Sequence, residues 1–109
     1  MKKVRSYVVV MGFICLFSTV WAQDGESIFT ANRCGVCHKP DADTAGRPSL
    51  KKISQAYHGN DTQLDAYLKG ESEPIIIPAQ ASTMKRHIQK TKALSDADRK
   101  ALVDYLLQH

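Results

Sequence analysis

Apolar residues recur at the spacing of a helix face in four stretches of the chain downstream of residue 23. The predicted helices run from Asp24 to about Arg33, from Ser49 to Tyr57, from Asp61 or Thr62 to Gly70, and from Ser95 to the C-terminus. The last helix has the clearest start, because Ser95 and Asp98, three residues apart, resemble a capping box. The pattern therefore predicts an all-α fold of about four short helices.

The segments between these helices are rich in proline and glycine. Such residues between positions 40 and 48 predict a loop of roughly a dozen residues. Glu71–Leu94 is predicted to be the least regular part of the chain, with only Arg86–Thr91 forming a turn of helix. Within it, Pro74 and Pro78 bracket Ile75–Ile77, a run that alone favours a strand. Since no second run could pair with it, we expect an extended and partly buried loop.

The first 22 residues differ in kind from the rest. Lys2, Lys3 and Arg5 form a basic start, Val8–Val20 is uncharged and mostly apolar, and small residues precede the end of the segment at Ala22. This is the pattern of a secretory signal, and it is shorter than the roughly 20 apolar residues that span a bilayer. We expect cleavage after Ala22, a mature domain of residues 23–109, and export to the periplasm without stable membrane insertion.

Removal of the signal changes the charge and the inventory of reactive side chains. The whole chain has a formal charge of +4, but the mature part has 12 basic and 11 acidic residues. A nucleic-acid partner is excluded, because such proteins need a concentrated basic face. The mature part keeps two cysteines, Cys34 and Cys37, and one methionine, Met84. A domain of this size generally needs a disulfide, a metal or a cofactor to supplement its small core.

Cys34-Gly35-Val36-Cys37-His38 is a C-x-x-C-H motif, the attachment sequence of c-type haem. Two thiols at this spacing can bond the two vinyl groups of one porphyrin, and the adjacent imidazole supplies the proximal ligand of the iron. A thioredoxin-like pair or structural disulfide lacks the expected βαβ pattern, and a zinc site would have to use the neighbouring Cys37 and His38 together. We therefore predict one haem c attached through Cys34 and Cys37, with its iron bound by His38.

The distal ligand of the iron is predicted to be Met84. This residue lies in the proline-marked second half of the chain, where a loop could return to the far face of the porphyrin. A thioether stabilises ferrous over ferric iron, so ligation by His38 and Met84 implies a comparatively high reduction potential. The alternatives are His58, His87 or an open or water-bound position, and a second histidine would imply a lower potential.

Residues 25–106 resemble a class I monohaem cytochrome c of the small bacterial kind. The matching features are Gly25 and Phe29 before the motif, the motif itself, Pro48-x-Leu50 after it, Met84, and the stretch from Leu94 to Leu106. The resemblance implies that the first and last helices cross near the haem edge, with Gly25 allowing their close approach and Phe29 packing on Tyr105 or Leu102. It also implies that the Pro48 carbonyl accepts a hydrogen bond from the second ring nitrogen of His38.

Two positions depart from the pattern of that family. Members often have proline directly after the ligand methionine, whereas Lys85 stands here, which keeps His87 as a rival ligand. Many relatives bind a haem propionate with a tryptophan, and the mature part has none. Tyr57, Arg47, Gln80 or a lysine would have to take that role.

A haem with both axial positions filled leaves no place for a substrate at the iron, so the predicted activity is one-electron exchange by a carrier that is not an enzyme. Two alternatives remain: a cytochrome subunit bound tightly to a periplasmic oxidoreductase through Ile75–Ile77, and a haem-based gas sensor in which Met84 is absent from the iron or displaced. We expect a monomer or transient complexes with redox partner proteins. An acidic partner surface would suit the basic residues expected around the haem edge, which are Lys39, Lys51, Lys52, Lys85, Arg86, Lys90 and Lys92.

Overall fold

The computed structural model describes residues 24–109 and contains five α-helices in this range. They are α1 (Gly25–Ala31), α2 (Leu50–Ala56), α3 (Asp61–Leu68), α4 (Ala81–Lys92) and α5 (Asp96–Leu106), with short 3-10 helices at Cys34–Val36 and Pro78–Gln80. The all-α prediction is confirmed, since this part of the chain has no strand. The predicted signal segment and its cleavage after Ala22 lie outside the described residues. Among residues 24–109, no helix is both long enough and apolar enough to cross a bilayer.

Gly25 allows α1 to cross α5 at close range. A Cβ atom at Gly25 would collide with the carbonyl oxygen of Ala101 and would lie 2.7 Å from the Cβ of Tyr105. Because a backbone atom cannot rotate out of the way, only glycine fits this crossing. Beside it, the rings of Phe29 and Tyr105 pack with their centroids 5.3 Å apart. Both features agree with the crossing that the resemblance implied.

The core is a single cluster of buried apolar side chains to which every helix contributes. Its members are Ile28, Phe29, Leu50, Ile53, Tyr57, Leu64, Leu68, Ile88, Leu102, Val103 and Leu106. The contribution is uneven, because α4 supplies only Ile88, whereas α5 supplies three of these residues. The free energy of burial therefore holds α4 less firmly than α5.

Polar side chains connect the helices at their ends. The Ser95 hydroxyl accepts a hydrogen bond from the Asp98 N–H at 3.1 Å, which caps α5 as the sequence predicts. Arg99 is only 3% exposed; its Nε donates to Asp65 of α3 at 2.8 Å, and its Nη1 donates to the Leu94 carbonyl oxygen at 3.0 Å. The bond to Asp65 fixes α5 against α3.

The prediction for Glu71–Leu94 is wrong in its second half. Residues 71–77 are irregular as expected, but the chain then forms the 12-residue helix α4 instead of a single turn at Arg86–Thr91. A helical pattern was hard to recognise because the helix has one strongly apolar core residue, Ile88, and fills another buried position with the polar Thr91. Met84 consequently lies on a helix and not on a returning loop.

Candidate functional site

The C-x-x-C-H motif forms a tight turn directly after α1. Arg33 adopts a left-handed conformation with φ of 56°, and the backbone N–H groups of Cys37 and His38 both donate to the Cys34 carbonyl oxygen, at 3.2 and 2.9 Å. Both cysteines are half-buried free thiols, so the disulfide alternative is not what the structure holds. Burial raises the pKa of the Cys34 thiol, and the positive charge of Lys90 opposes that shift. The turn thus presents two unpaired thiols and an imidazole within five consecutive residues.

The His38 ring is oriented by a hydrogen bond to the following loop. Its Nδ1 lies 2.8 Å from the carbonyl oxygen of Pro48, the contact that the resemblance implied. A carbonyl oxygen can only accept, so Nδ1 carries the proton and Nε2 is left with its lone pair. This is the tautomer that a metal ion requires from an imidazole whose other nitrogen is engaged.

Two hydrogen bonds hold the loop that carries Pro48, one between its ends and one to a residue within it. The Leu50 N–H donates to the Lys39 carbonyl oxygen at 2.8 Å, and the Ser49 N–H donates to the Asp43 carboxylate at 2.8 Å. The bond from Ser49 is the main reason why the pKa of Asp43 lies below its ordinary value. These contacts keep the Pro48 carbonyl oxygen within reach of His38.

The motif opens onto a cavity of about 400 Å³. This volume lies within the range of roughly 300 to 1,000 Å³ that is typical of cofactor sites. Both thiols, His38, Pro48 and Met84 line the same cavity. Most of the remaining wall is apolar and comes from Phe29, Ile53, Leu64, Leu68, Ile76, Ile77, Leu102 and Leu106. The structure therefore brings together all the site residues that the sequence predicts, at the wall of one apolar space.

Helix α4 forms one side of this cavity. Met84, His87 and Thr91, three and four residues apart, line the cavity along one stripe of the helix. Thr91 fixes the helix, because its buried hydroxyl lies 2.6 Å from the carbonyl oxygen of Leu68 at the end of α3. Met84 is half-buried and packs against the core cluster.

The two histidines considered as alternatives to Met84 occupy different environments. His58 is exposed and lies outside the cavity, whereas His87 is half-buried and lines it. Burial lowers the pKa of His87, and the positive charges of Lys90 and Arg86 lower it further. Only His87 of the two is therefore placed near a cofactor in this cavity.

Polar side chains also line the cavity. Tyr57, Arg47 and Gln80, which the sequence analysis named as candidates for a propionate, are all among its lining residues. Tyr67 also lines it, and burial raises the pKa of this phenol as well as that of Tyr57. Tyr67 was missed because at its position in α3 its spacing indicates only an ordinary core residue.

The lysine, arginine and carboxylate side chains that line the cavity are all of the basic kind. Arg33, Arg47, Arg86 and Lys90 line it, and no carboxylate among residues 24–109 does so. Of the seven basic residues expected around a haem edge, only Arg86 and Lys90 belong to this lining. Lys52 instead pairs with Asp43 at 3.5 Å.

These residues fit a covalently held haem. The thiols are unpaired, the adjacent imidazole presents one free nitrogen, and a thioether lines the same space. In the described part of the chain, every buried side-chain nitrogen or oxygen already has a hydrogen-bond partner, so the apolar wall needs no further polar contact. The four-ligand set that a zinc ion takes is not assembled there, since no three His, Cys, Asp or Glu side chains are grouped to hold a metal ion.

Comparisons with known proteins agree with this arrangement. The family model described as cytochrome c matches residues 22–109, which include the motif, Pro48 and Met84. Cytochrome c-551 of Stutzerimonas stutzeri is 29% identical over 90 residues, which cover 76% of this chain and 86% of that protein.

Proposed function

This chain belongs to the cytochrome c family, and we propose that it carries single electrons on one haem that is attached through Cys34 and Cys37 and ligated at the iron by His38 and Met84. One observation carries the proposal: all four side chains line the same apolar cavity. The haem supplies the redox chemistry when it is attached. The protein holds it, sets its potential and controls access to it.

His38 is the proximal ligand in this proposal. Its Nδ1 is engaged by the Pro48 carbonyl oxygen at 2.8 Å, which leaves Nε2 for the iron. The same bond makes the imidazole a stronger donor, and a stronger nitrogen donor stabilises ferric iron. On this side the hydrogen bond lowers the reduction potential.

Met84 and the apolar wall act in the opposite direction. A thioether favours ferrous iron, and a dry apolar environment disfavours the additional positive charge of the ferric state. Because most of the cavity wall is apolar, these two contributions raise the potential. We propose that the carrier works in the higher part of the range of c-type haems.

The site suits electron transfer better than catalysis. Side chains bound on both sides of the iron, His38 and Met84, would leave no vacant position there for a substrate. Val36, which lies between the two cysteines, is 65% exposed, so the edge where the haem would be attached reaches the surface. An electron can enter or leave there without the opening of a lid.

We propose that the redox partner presents acidic side chains to this edge. The support is the lining of the cavity, which has Arg33, Arg47, Arg86 and Lys90 and no carboxylate in the described part of the chain. Such complementary charges accelerate association, and salt screens them. The rate of electron exchange with an acidic partner protein should therefore fall as ionic strength rises, and a rate that rises would contradict this assignment.

A tightly bound cytochrome subunit has less support. Its candidate contact surface was Ile75–Ile77, but only Ile75 is exposed, at 43%. Ile76 packs against the core, and Ile77 lines the cavity. The three isoleucines do not form a common surface patch, which favours the freely diffusing carrier and transient complexes.

The N-terminal pattern supports export, and we propose the periplasm as the location of the mature protein. Intact-mass measurement of the purified protein tests this: cleavage after Ala22 leaves a chain that begins at Gln23. The same spectrum would show the mass of one covalently added haem. A mature chain that keeps residues 1–22 would contradict the export assignment and leave the haem assignment standing.

Absorption spectroscopy of the purified holoprotein tests the central proposal. The ferric protein should show the weak band near roughly 700 nm that accompanies methionine ligation. The band should vanish in Met84→Ala and persist in Gln89→Ala, a control on an exposed position of the same helix. A protein without attached haem, or a band that survives Met84→Ala, would refute the proposal.

A further inference from the structure

We propose that His87 is a second distal ligand, which takes the place of Met84 at the iron when the bond between iron and sulfur breaks. The inference rests on the proposed function, because it assumes a haem held by Cys34, Cys37 and His38. It adds a residue to the iron site and predicts two interchangeable six-coordinate states. The exchange breaks one iron–sulfur bond and forms one iron–nitrogen bond, with no net gain or loss of electrons or protons.

The placement of His87 on α4 is the first argument. His87 follows Met84 by three residues, and both side chains line the same cavity. Residues three apart on an α-helix are about 4.5 Å apart along the axis and about 60° apart around it. A displacement of less than one helical turn therefore exchanges one side chain for the other.

The second argument is that other imidazoles in residues 24–109 lie elsewhere. His58 is exposed and outside the cavity. His109 packs edge-on against Tyr105, with ring centroids 4.9 Å apart, and does not line the cavity either. With His38 assigned to the proximal side, His87 is the remaining cavity-lining imidazole in the described part of the chain.

The third argument is that the N-terminal half of α4 is weakly held. No side chain caps a backbone N–H at the start of the helix; the Gln80 side chain accepts only one hydrogen bond at 3.3 Å from the exposed Thr83 hydroxyl, and a single 3-10 turn separates the helix from the irregular residues 71–77. Its firm contacts, Ile88 in the core and the hydroxyl of Thr91, lie in the C-terminal half. On its other side, Ala81, Ser82 and Lys85 border a groove of about 360 Å³ instead of packed side chains. The part of the helix that carries Met84 has room to shift.

Ligand chemistry makes the two states unequal. A thioether is a soft ligand that favours ferrous iron, whereas an imidazole nitrogen binds ferric iron well. Oxidation should therefore favour His87 and reduction should favour Met84. The exchange would lower the reduction potential whenever His87 is bound, so the same chain would have a high-potential and a low-potential form.

The test compares three ferric holoproteins by low-temperature electron paramagnetic resonance and near-infrared spectroscopy. They are Met84→Ala, Met84→Ala with His87→Asn, and Met84→Ala with His58→Asn as the matched histidine control. We expect Met84→Ala and the His58 control to stay low-spin with two nitrogen ligands, and the His87 double variant to become high-spin. High-spin iron in Met84→Ala itself, or low-spin iron that survives His87→Asn, would overturn the proposal.

A second measurement uses proteins that retain Met84. On warming, the band near roughly 700 nm should fade as the iron–sulfur bond weakens. Wild type should then stay low-spin below its unfolding transition, whereas His87→Asn should become high-spin. The same final spin state in both proteins would count against His87.

The two proposals fail in different ways. If wild type carries covalent haem with the methionine band but Met84→Ala is high-spin, the carrier proposal stands and the His87 proposal falls. If wild type carries no covalent haem, both fall. If wild type has haem but lacks the methionine band and His87→Asn alone makes it high-spin, His87 is the resident ligand, which refutes Met84 ligation and the exchange together.

Discussion

Replacement of Thr91 by valine tests how firmly α4 is fixed beside the cavity. The Thr91 hydroxyl lies 2.6 Å from the Leu68 carbonyl oxygen, and both residues are only 5% exposed. Valine has nearly the same shape and a similar helix propensity, so the change removes the donor and leaves a buried carbonyl oxygen without it. Such a loss costs about 1–3 kcal/mol. In a domain of this size each kcal/mol lowers the midpoint of thermal unfolding by about 4–8 °C.

The assay is thermal unfolding of the holoprotein followed by circular dichroism, together with the methionine band of the ferric protein. Thr91→Val should unfold at least about 4 °C below wild type, and it should lose the band further below its own unfolding midpoint than wild type does. Thr30→Val is the matched control, because Thr30 is an exposed residue of α1 and its change should alter the unfolding free energy by less than about 0.5 kcal/mol. If the two variants unfold at the same temperature, the bond to α3 does not anchor α4.

Two further changes test the remainder of the scaffold. Gly25→Ala places a methyl group against the Ala101 carbonyl oxygen, so urea unfolding should show that the free energy of unfolding falls by about 1–3 kcal/mol. The control Ser27→Ala, at an exposed position of the same helix, should change it little. Equal free energies of unfolding for the two variants would contradict the close crossing of α1 and α5. Asp43→Ala removes the acceptor of the Ser49 N–H bond, which holds the pKa of Asp43 below its ordinary value. The free energy of unfolding of wild type should exceed that of this variant by its full amount above the unfolded pKa of about 3.9, and the difference should shrink as pH falls through the lowered pKa of Asp43 in the folded protein. Urea titrations at several pH values measure this difference. A difference that stays constant with pH would refute the reasoning.

The part of the cavity formed by the C-x-x-C-H motif could be predicted from the sequence because its reactive side chains lie within five consecutive residues. Two cysteines and a histidine at fixed spacing form one turn, whatever the rest of the fold does. The close crossing at Gly25 and the contact between His38 and Pro48 followed from the resemblance, and the structure has both. Local patterns were informative here because the interactions that matter are either adjacent in the chain or common to the family.

The distal side could be predicted only in part. The single methionine of residues 23–109 was identified from the sequence, but its setting on a 12-residue helix was missed. Helix α4 has a polar sequence with one strongly apolar core residue, Ile88, and the hydroxyl of Thr91 makes a bond 23 positions away in the chain. A search for helical periodicity cannot detect a hydrogen bond to a residue so distant in the chain. The sequence already named His87 as a rival ligand, but the helix face that it shares with Met84 became evident only once α4 was recognised as a helix.

The two side chains that we propose as iron ligands are therefore held by interactions of very different strength. His38 follows Cys37 directly, so a covalent attachment at that thiol would confine the imidazole to the iron even when the surrounding structure loosens. Met84 depends on tertiary contacts of α4, chiefly Ile88 and the Thr91 hydrogen bond, and the latter contributes only about 1–3 kcal/mol. Changes of that size shift a conformational equilibrium by roughly 5- to 150-fold. Substitutions that alter how α4 is anchored should thus change the distal ligand and the potential while proximal ligation persists, and this makes α4 the element through which the redox properties of this protein are most readily tuned.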